Sequence, residues 1–174
     1  YDIGNTPIVM KEWVKIQGAG SKFTKIIGSR SSMYNDEDAA LVIGANNSAL
    51  IGMSINNISD GPYTVGILTS NASPTIKHVI VRAIYGITSI GISIQNYSSP
   101  KLVNVNAAGV SESGSIGIEV ITQSSPKLIE VTAQAPMQSA AISINSASPF
   151  IIDSVMNGDP GLDLGLDASG GVVN

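Results

Sequence analysis

A unit written four times over constrains this chain more than any other feature. Gly66-Ile-Leu-Thr-Ser-Asn-Ala-Ser-Pro74, Gly91-Ile-Ser-Ile-Gln-Asn-Tyr-Ser-Ser-Pro100, Gly117-Ile-Glu-Val-Ile-Thr-Gln-Ser-Ser-Pro126 and Ala141-Ile-Ser-Ile-Asn-Ser-Ala-Ser-Pro149 each run a β-type segment into a Ser-Pro turn. The prolines lie 26, 26 and 23 residues apart. Ser48, ahead of Ala49-Leu50-Ile51, stands 26 residues before Pro74 and marks a weaker earlier copy. The first copy, from Val14-Lys-Ile-Gln-Gly18 to Lys25-Ile-Ile-Gly28, has drifted furthest. A truncated last copy runs through Leu164, Leu166 and Gly171. A fixed period of this size means stacked units, each buried only by its neighbours.

Each copy predicts two short strands around the Ser-Pro turn, followed by a variable loop. The first run alternates: Ile92 and Ile94 face one way and Ser93 the other, as do Ile118 and Val120 against Glu119. The second run starts two residues after the proline, with Ile76, Leu102, Leu128 and Ile151 in register. Val79, Val105 and Val131 form a second apolar column, and Val81, Ala107, Ala133 and Met156 a third. Prolines in turns, β-branched residues and the lack of any sustained 3.6-residue period argue against helices. A leucine-rich horseshoe needs Leu-x-x-Leu-x-Leu, but the chain has 8 Leu against 25 Ile and 14 Val. A β-propeller blade needs about 40 residues. The expectation is therefore one all-β domain over 1–174, a parallel β-helix (solenoid) of six to seven coils spaced about 4.8 Å apart. Exposed terminal coils would be sticky strand edges, which predicts homo-oligomers through coil ends or trimerisation.

The Gly-Ile-x-Ile…Ser-Ser-Pro-x-Leu-x-x-Val pattern resembles the right-handed parallel β-helix repeat of the pectate-lyase-like superfamily. Val14-Lys-Ile-Gln-Gly-Ala-Gly20 resembles the first coil of that group, and the likeness covers nearly the whole chain. It implies the right-handed fold and leaves activity open, because the superfamily includes lyases, hydrolases, esterases, epimerases, phage tailspikes and surface proteins. Polygalacturonase-like members would imply Asn-Thr-Asp, Asp-Asp, Gly-His-Gly and Arg-Ile-Lys, and none occurs. His78 lies in Lys77-His-Val79, and neither Arg30 nor Arg82 opens such a triplet. Pectate-lyase-like chemistry would imply calcium held by acids on neighbouring coils beside an arginine base. Acids do fall on neighbouring coils, without a clear cluster next to an Arg. Pectin-methylesterase-like catalysis would imply two strand Asp and an Arg, whereas Asp153 is the only Asp well inside an assigned run. These absences favour a segment without catalysis of its own.

Composition removes further classes. With Cys 0 there is no disulfide framework, thiol catalysis or Cys-ligated zinc. His 1 excludes a two-His metalloprotease site. A net charge of -4 with only two arginines argues against nucleic acid. No apolar run approaches about 18 residues, so no membrane span is expected. Abundant Ser and Asn without Cys suit an extracellular, cell-surface or phage-particle protein. The chain begins at Tyr1 without Met and stops at Val172-Val173-Asn174 within a strand-like run, as an excised piece of something longer would.

Two constellations stand out. Four residues after each proline-equivalent position lie Gly52, His78, Asn104, Glu130 and Asp153, which predicts an outward polar ladder. Within it, Glu130 and Asp153 on adjacent coils would repel and invite Ca²⁺, the one cofactor the pattern suggests. The loops closing successive coils, 30–38, 57–63, 82–89, 108–115 and 134–139, hold the second. They carry Tyr34, Tyr63 and Tyr85 together with Asp36, Glu37, Asp38, Asp60, Arg30 and Arg82. Rings spaced along one edge stack on sugar faces while carboxylates meet hydroxyls, so Tyr34, Asp36, Glu37, Asp38, Asp60, Tyr63, Arg82 and Tyr85 are the expected contacts for a polysaccharide or glycan. The functional expectation is a non-catalytic extracellular module, carbohydrate-binding or a rigid spacer. The alternatives are a polysaccharide-active lyase or hydrolase and a structural phage or surface fibre. The glycosylation sequons at Asn46, Asn57, Asn71 and Asn96 are what chance produces in turns rich in Asn and Ser.

Overall fold

A computed structural model describes residues 1–33, 36–136 and 139–158. In chain order the elements are β1 (Ile8–Val9), β2 (Lys15–Gln17), β3 (Lys25–Gly28), α1 (Asp36–Ala39), β4 (Ala40–Ile43), β5 (Ala49–Ile58), β6 (Tyr63–Ser70) and β7 (Thr75–Ile84). There follow β8 (Thr88–Gln95), β9 (Lys101–Val103), β10 (Asn106–Val110), β11 (Gly114–Ile121), β12 (Lys127–Ile129), β13 (Thr132–Gln134), β14 (Ala140–Asn145), β15 (Phe150–Ile152) and β16 (Val155–Asn157). The front sheet runs β1-β4-β6-β8-β11-β14, and the remaining strands form the back sheet. Every pairing between these strands is parallel. The chain is an all-β parallel solenoid of about five turns. That is fewer than the six to seven coils the repeat predicts. The first copy supplies only the short β1, β2 and β3, and the last copy, through Leu164, Leu166 and Gly171, lies outside the described residues.

The columns stack as their spacing requires. Leu50, Ile76, Leu102, Leu128 and Ile151 pair rung to rung down the back sheet. Ile92, Ile118 and Ile142, with Ile94, Val120 and Ile144, do the same on the front. All are buried and belong to one continuous core between the sheets. Removing each such side chain from water is worth about 1.5–3 kcal/mol. Because the coils are almost isometric, one buried position per coil repeats that gain at every rung.

Two local devices close each coil. In the Ser-Pro turn, the buried Ser98 Oγ donates to Gln95 O at 2.6 Å and accepts from Ala72 N at 3.2 Å on the preceding coil. Ser124 Oγ likewise accepts from Ser98 N at 3.2 Å, so the hydroxyls tie one turn to the next. The second device is the polar column, which is a backbone corner. Gly52, His78, Asn104, Glu130 and Asp153 all have left-handed φ, at 65°, 53°, 52°, 52° and 47°. Asp153 therefore sits between β15 and β16, not well inside a run. The side chains of His78, Asn104, Glu130 and Asp153 are exposed, as an outward ladder requires. A left-handed residue turns the strand by about a right angle at little cost only for Gly, Asn or Asp.

Strands also extend into the segments read as loops, since Asn57, Tyr63, Arg82 and Ala108 all lie in paired strands. Among the described residues, the one departure from all-β is α1, a single turn too short to show a helical period.

Candidate functional site

The site begins with a change of side-chain parity in the front sheet. Ile90 pairs with Ile116 and Ile92 with Ile118, with Gly91 and Gly117 between them on the same offset. A Cβ on Gly91 would collide with the carbonyl oxygen of Gly117 and the amide of Ala108, so only glycine lets the two sheets approach here. The kink at these glycines sends Ile92 into the bore and leaves Ile90 outside it, in a cluster with Val65 and Leu68. Outward of the bore, Leu68, Ser93, Glu119 and Ser143 then form one column.

The short α1 lies against β6 on this outward face. Its Ala39 is fully buried in a second apolar cluster with Ala40, Val65, Leu68 and Ile90. The fully buried Asn57 pins the segment from beneath. Its Nδ2 lies 2.9 Å from Ala39 O, 2.8 Å from Val65 O and 3.0 Å from Arg30 O, while Oδ1 accepts from Arg30 N at 2.7 Å. One amide thus holds the chain on both sides of the cover to the rung below it.

Between α1 and the sheet runs a groove of about 560 Å³. Its polar lining is Asp36, Glu37, Tyr63, Ser70, Gln95, Asn96 and Glu119, and Leu68 and Ile121 complete it. Beside it, the fully buried Ser93 holds its Oγ 2.7 Å from Asp36 Oδ2 and 3.0 Å from Glu119 Oε2. The two carboxyl oxygens are therefore within about 6 Å of each other, where like charges oppose joint ionisation. Burial raises the pKa of Glu119 above the usual carboxylate value, the charge of Asp36 raises it further, and the Ser93 hydrogen bond opposes both. The arrangement sets a carboxyl of raised pKa beside a second carboxyl, on a rigid sheet.

Of the residues expected to contact a ligand, the groove brings together Asp36, Glu37 and Tyr63. Asp38 follows on α1 with its side chain exposed, outside that lining. Asp60 is exposed in the turn between β5 and β6. Arg82 is exposed on the back sheet, in register with Asn56 and Ala108. Tyr85 is 70% exposed at a left-handed corner after β7. Tyr34 lies outside the described residues. Glu130 and Asp153 occupy successive corners, with Asn104 Nδ2 3.5 Å from Glu130 Oε2. Among the described residues, no group of three or more His, Cys, Asp or Glu is placed to hold a metal ion.

The groove also contains residues that the loop-centred expectation omits. Ser93 and Glu119 were legible as outward-facing from the alternation, and Glu119 is the lone acid in its column. What the alternation lacks is the cover that takes them out of water. Asn57 reads as a turn residue in a sequon and is instead a fully buried fourfold contact. No family model, curated protein or solved structure matches this chain.

Proposed function

We propose that this solenoid is a non-catalytic extracellular, cell-surface or particle-surface module that binds a glycan in the groove over its front sheet. The observation that carries the reading is the lining: one tyrosine ring, one serine hydroxyl, two side-chain amides and three carboxyls along a rigid, parallel sheet. Amides and carboxyls match sugar hydroxyls, and the ring stacks on an apolar sugar face. Among the described residues, no cationic side chain lines this groove. The ligand favoured is therefore a neutral or amino-bearing glycan over a polyuronate. Kinship with the pectate-lyase-like superfamily belongs to the same proposal and rests on the Gly-Ile-x-Ile…Ser-Ser-Pro repeat. The missing Asn-Thr-Asp, Asp-Asp, Gly-His-Gly and Arg-Ile-Lys motifs set it apart from the polygalacturonase-like members. Association through the coil ends, at the outer edges of β1, β2 and β3, is part of the proposal too.

A second reading, a polysaccharide-active hydrolase, draws on Asp36 and Glu119, because a protonated acid facing a second carboxyl is the pairing that glycoside hydrolysis uses. Calorimetric titration with neutral and amino-bearing oligosaccharides separates the two. Binding weakened at least about tenfold by Tyr63→Ala and by Gln95→Ala, and unchanged by Tyr85→Ala, supports recognition in the groove, tenfold being about 1.4 kcal/mol. Release of reducing ends during the titration would instead establish the hydrolase. Binding that Tyr63→Ala and Gln95→Ala leave untouched overturns the groove as the site.

A further inference from the structure

The front strands leave their sheet in two ways. Gly66 to Pro74 and Ala141 to Pro149 span nine residues each, whereas Gly91 to Pro100 and Gly117 to Pro126 span ten. In the shorter coils one left-handed residue, Asn71 or Ser146, leads directly into the buried Ala72 or Ala147. In the longer coils the left-handed Asn96 or Thr122 is followed by a second left-handed residue, Tyr97 or Gln123, before the buried Ser98 or Ser124. Ala72 N donates to Ser98 Oγ and Ser98 N to Ser124 Oγ, which marks these positions as equivalent. Tyr97 and Gln123 are therefore the inserted residues, and the nine-residue coils show that closure does not need them.

The insertion is costly where it stands. Tyr97, Thr122 and Gln123 have φ of 61°, 54° and 57°, in the region that favours glycine and asparagine, and Thr122 is β-branched. Strain of this kind persists only where the surroundings over-determine it, and it clusters at functional sites. Here the backbone is held from coil to coil, with Tyr97 N donating to Thr122 O at 3.0 Å and Gln123 N to Ser146 O at 2.6 Å. What the insertion adds is on the outside. Tyr97 is 65% exposed, and Gln123 is exposed on the next coil.

This ledge adjoins the groove. Ser70, Gln95 and Ile121, which line the groove, are the last residues of β6, β8 and β11, so the groove reaches the carboxyl ends of these strands. Asn96 also lines it, and Tyr97 is the next residue. A second ring and a third side-chain amide thus stand on successive coils, about 4.8 Å apart along the stack, where the groove ends. We infer that Tyr97 and Gln123 form an outer subsite that continues the groove past the end of the front sheet, the Tyr97 ring stacking on a sugar and Gln123 meeting its hydroxyls. The ligand class this selects is an oligosaccharide chain held along several units, over a single sugar. The inference rests on the glycan reading of the groove and adds where the chain continues.

Calorimetric titration with neutral and amino-bearing oligosaccharide ladders, from one sugar unit to six, tests it. Affinity should rise with length in the wild-type protein until the outer subsite is filled. Tyr97→Ala should leave the shortest bound member unchanged and weaken the longer ones at least about fivefold, whereas Tyr97→Phe should keep the wild-type dependence on length. Deleting Tyr97 and Gln123 together restores the nine-residue spacing, and should abolish the gain with length without lowering the denaturation midpoint. A lowered midpoint would assign the insertion to coil closure and overturn the subsite. Tyr63→Ala that weakens every length, with Tyr97→Ala that weakens none, overturns the outer subsite and leaves the groove reading standing. Binding by no ladder, or binding indifferent to Tyr63→Ala and Gln95→Ala, overturns the groove reading and the subsite with it.

Discussion

The two outward faces of the solenoid come from the same repeat and end in opposite states. On the back sheet, the outward side chains Lys77, Arg82, Lys101 and Lys127 are exposed, and Lys127 Nζ lies 5.4 Å from the centre of the Phe150 ring. On the front sheet, outward Leu68, Ile90 and Ser93 are 1%, 3% and 0% exposed. The strands do not account for the difference, since both sheets are parallel and both alternate. A non-repeating piece of chain, α1, lies on one face, and a buried amide from Asn57 fastens it there. In a solenoid the stack decides what lines the bore, and an irregular segment decides which outer face becomes dry enough to hold chemistry.

Three changes test how far that contrast goes. The largest effect is expected for Asn57→Ala. It leaves the carbonyls of Arg30, Ala39 and Val65 and the Arg30 amide without this partner in a dry site, at a cost of about 3 kcal/mol. Chemical denaturation checks it, and a loss below about 1 kcal/mol would mean that the cover is held by something else. Next comes a matched pair across the faces. Leu68→Ala beneath the cover should cost about 2 kcal/mol, whereas Lys101→Ala on the open face should stay within about 0.5 kcal/mol. Equal costs would erase the contrast.

The smallest effect is a slope. The pKa of Glu119 is raised in the folded protein, so the folded state holds a proton that the unfolded chain has released. That contribution is complete below the ordinary carboxylate value and is lost as pH rises through the folded-state value. Wild-type stability should therefore fall as pH rises through that window, and Glu119→Gln should flatten the fall. A urea series at stepped pH measures it, and identical slopes in the two proteins would show that burial of Glu119 carries no stability.

Much of the architecture was legible in the residues. A strand turns successive side chains to opposite faces, and a constant coil length brings equal positions into register. Ile76, Leu102, Leu128 and Ile151 therefore had to stack, and they do. The column from Gly52 to Asp153 was legible as a column, but its cause is the left-handed backbone, for which Gly, Asn and Asp were the available signal. The single turn α1 had no signal, because four residues cannot display a helical period. The glycines before the Ile-x-Ile runs marked the start of the repeat without announcing the kink that reverses parity there.

The repeat by itself determined the stacked parallel coils, the apolar bore and the Ser-Pro turns, because each is a local rule applied again at a fixed interval. Tertiary structure decided the site. Asp36 reaches Ser93 across 57 positions of sequence, from a segment that belongs to no repeat. No periodicity encodes that meeting. It depends on where one buried amide anchors the cover, and on the loss of water that raises the pKa of a carboxyl beneath it.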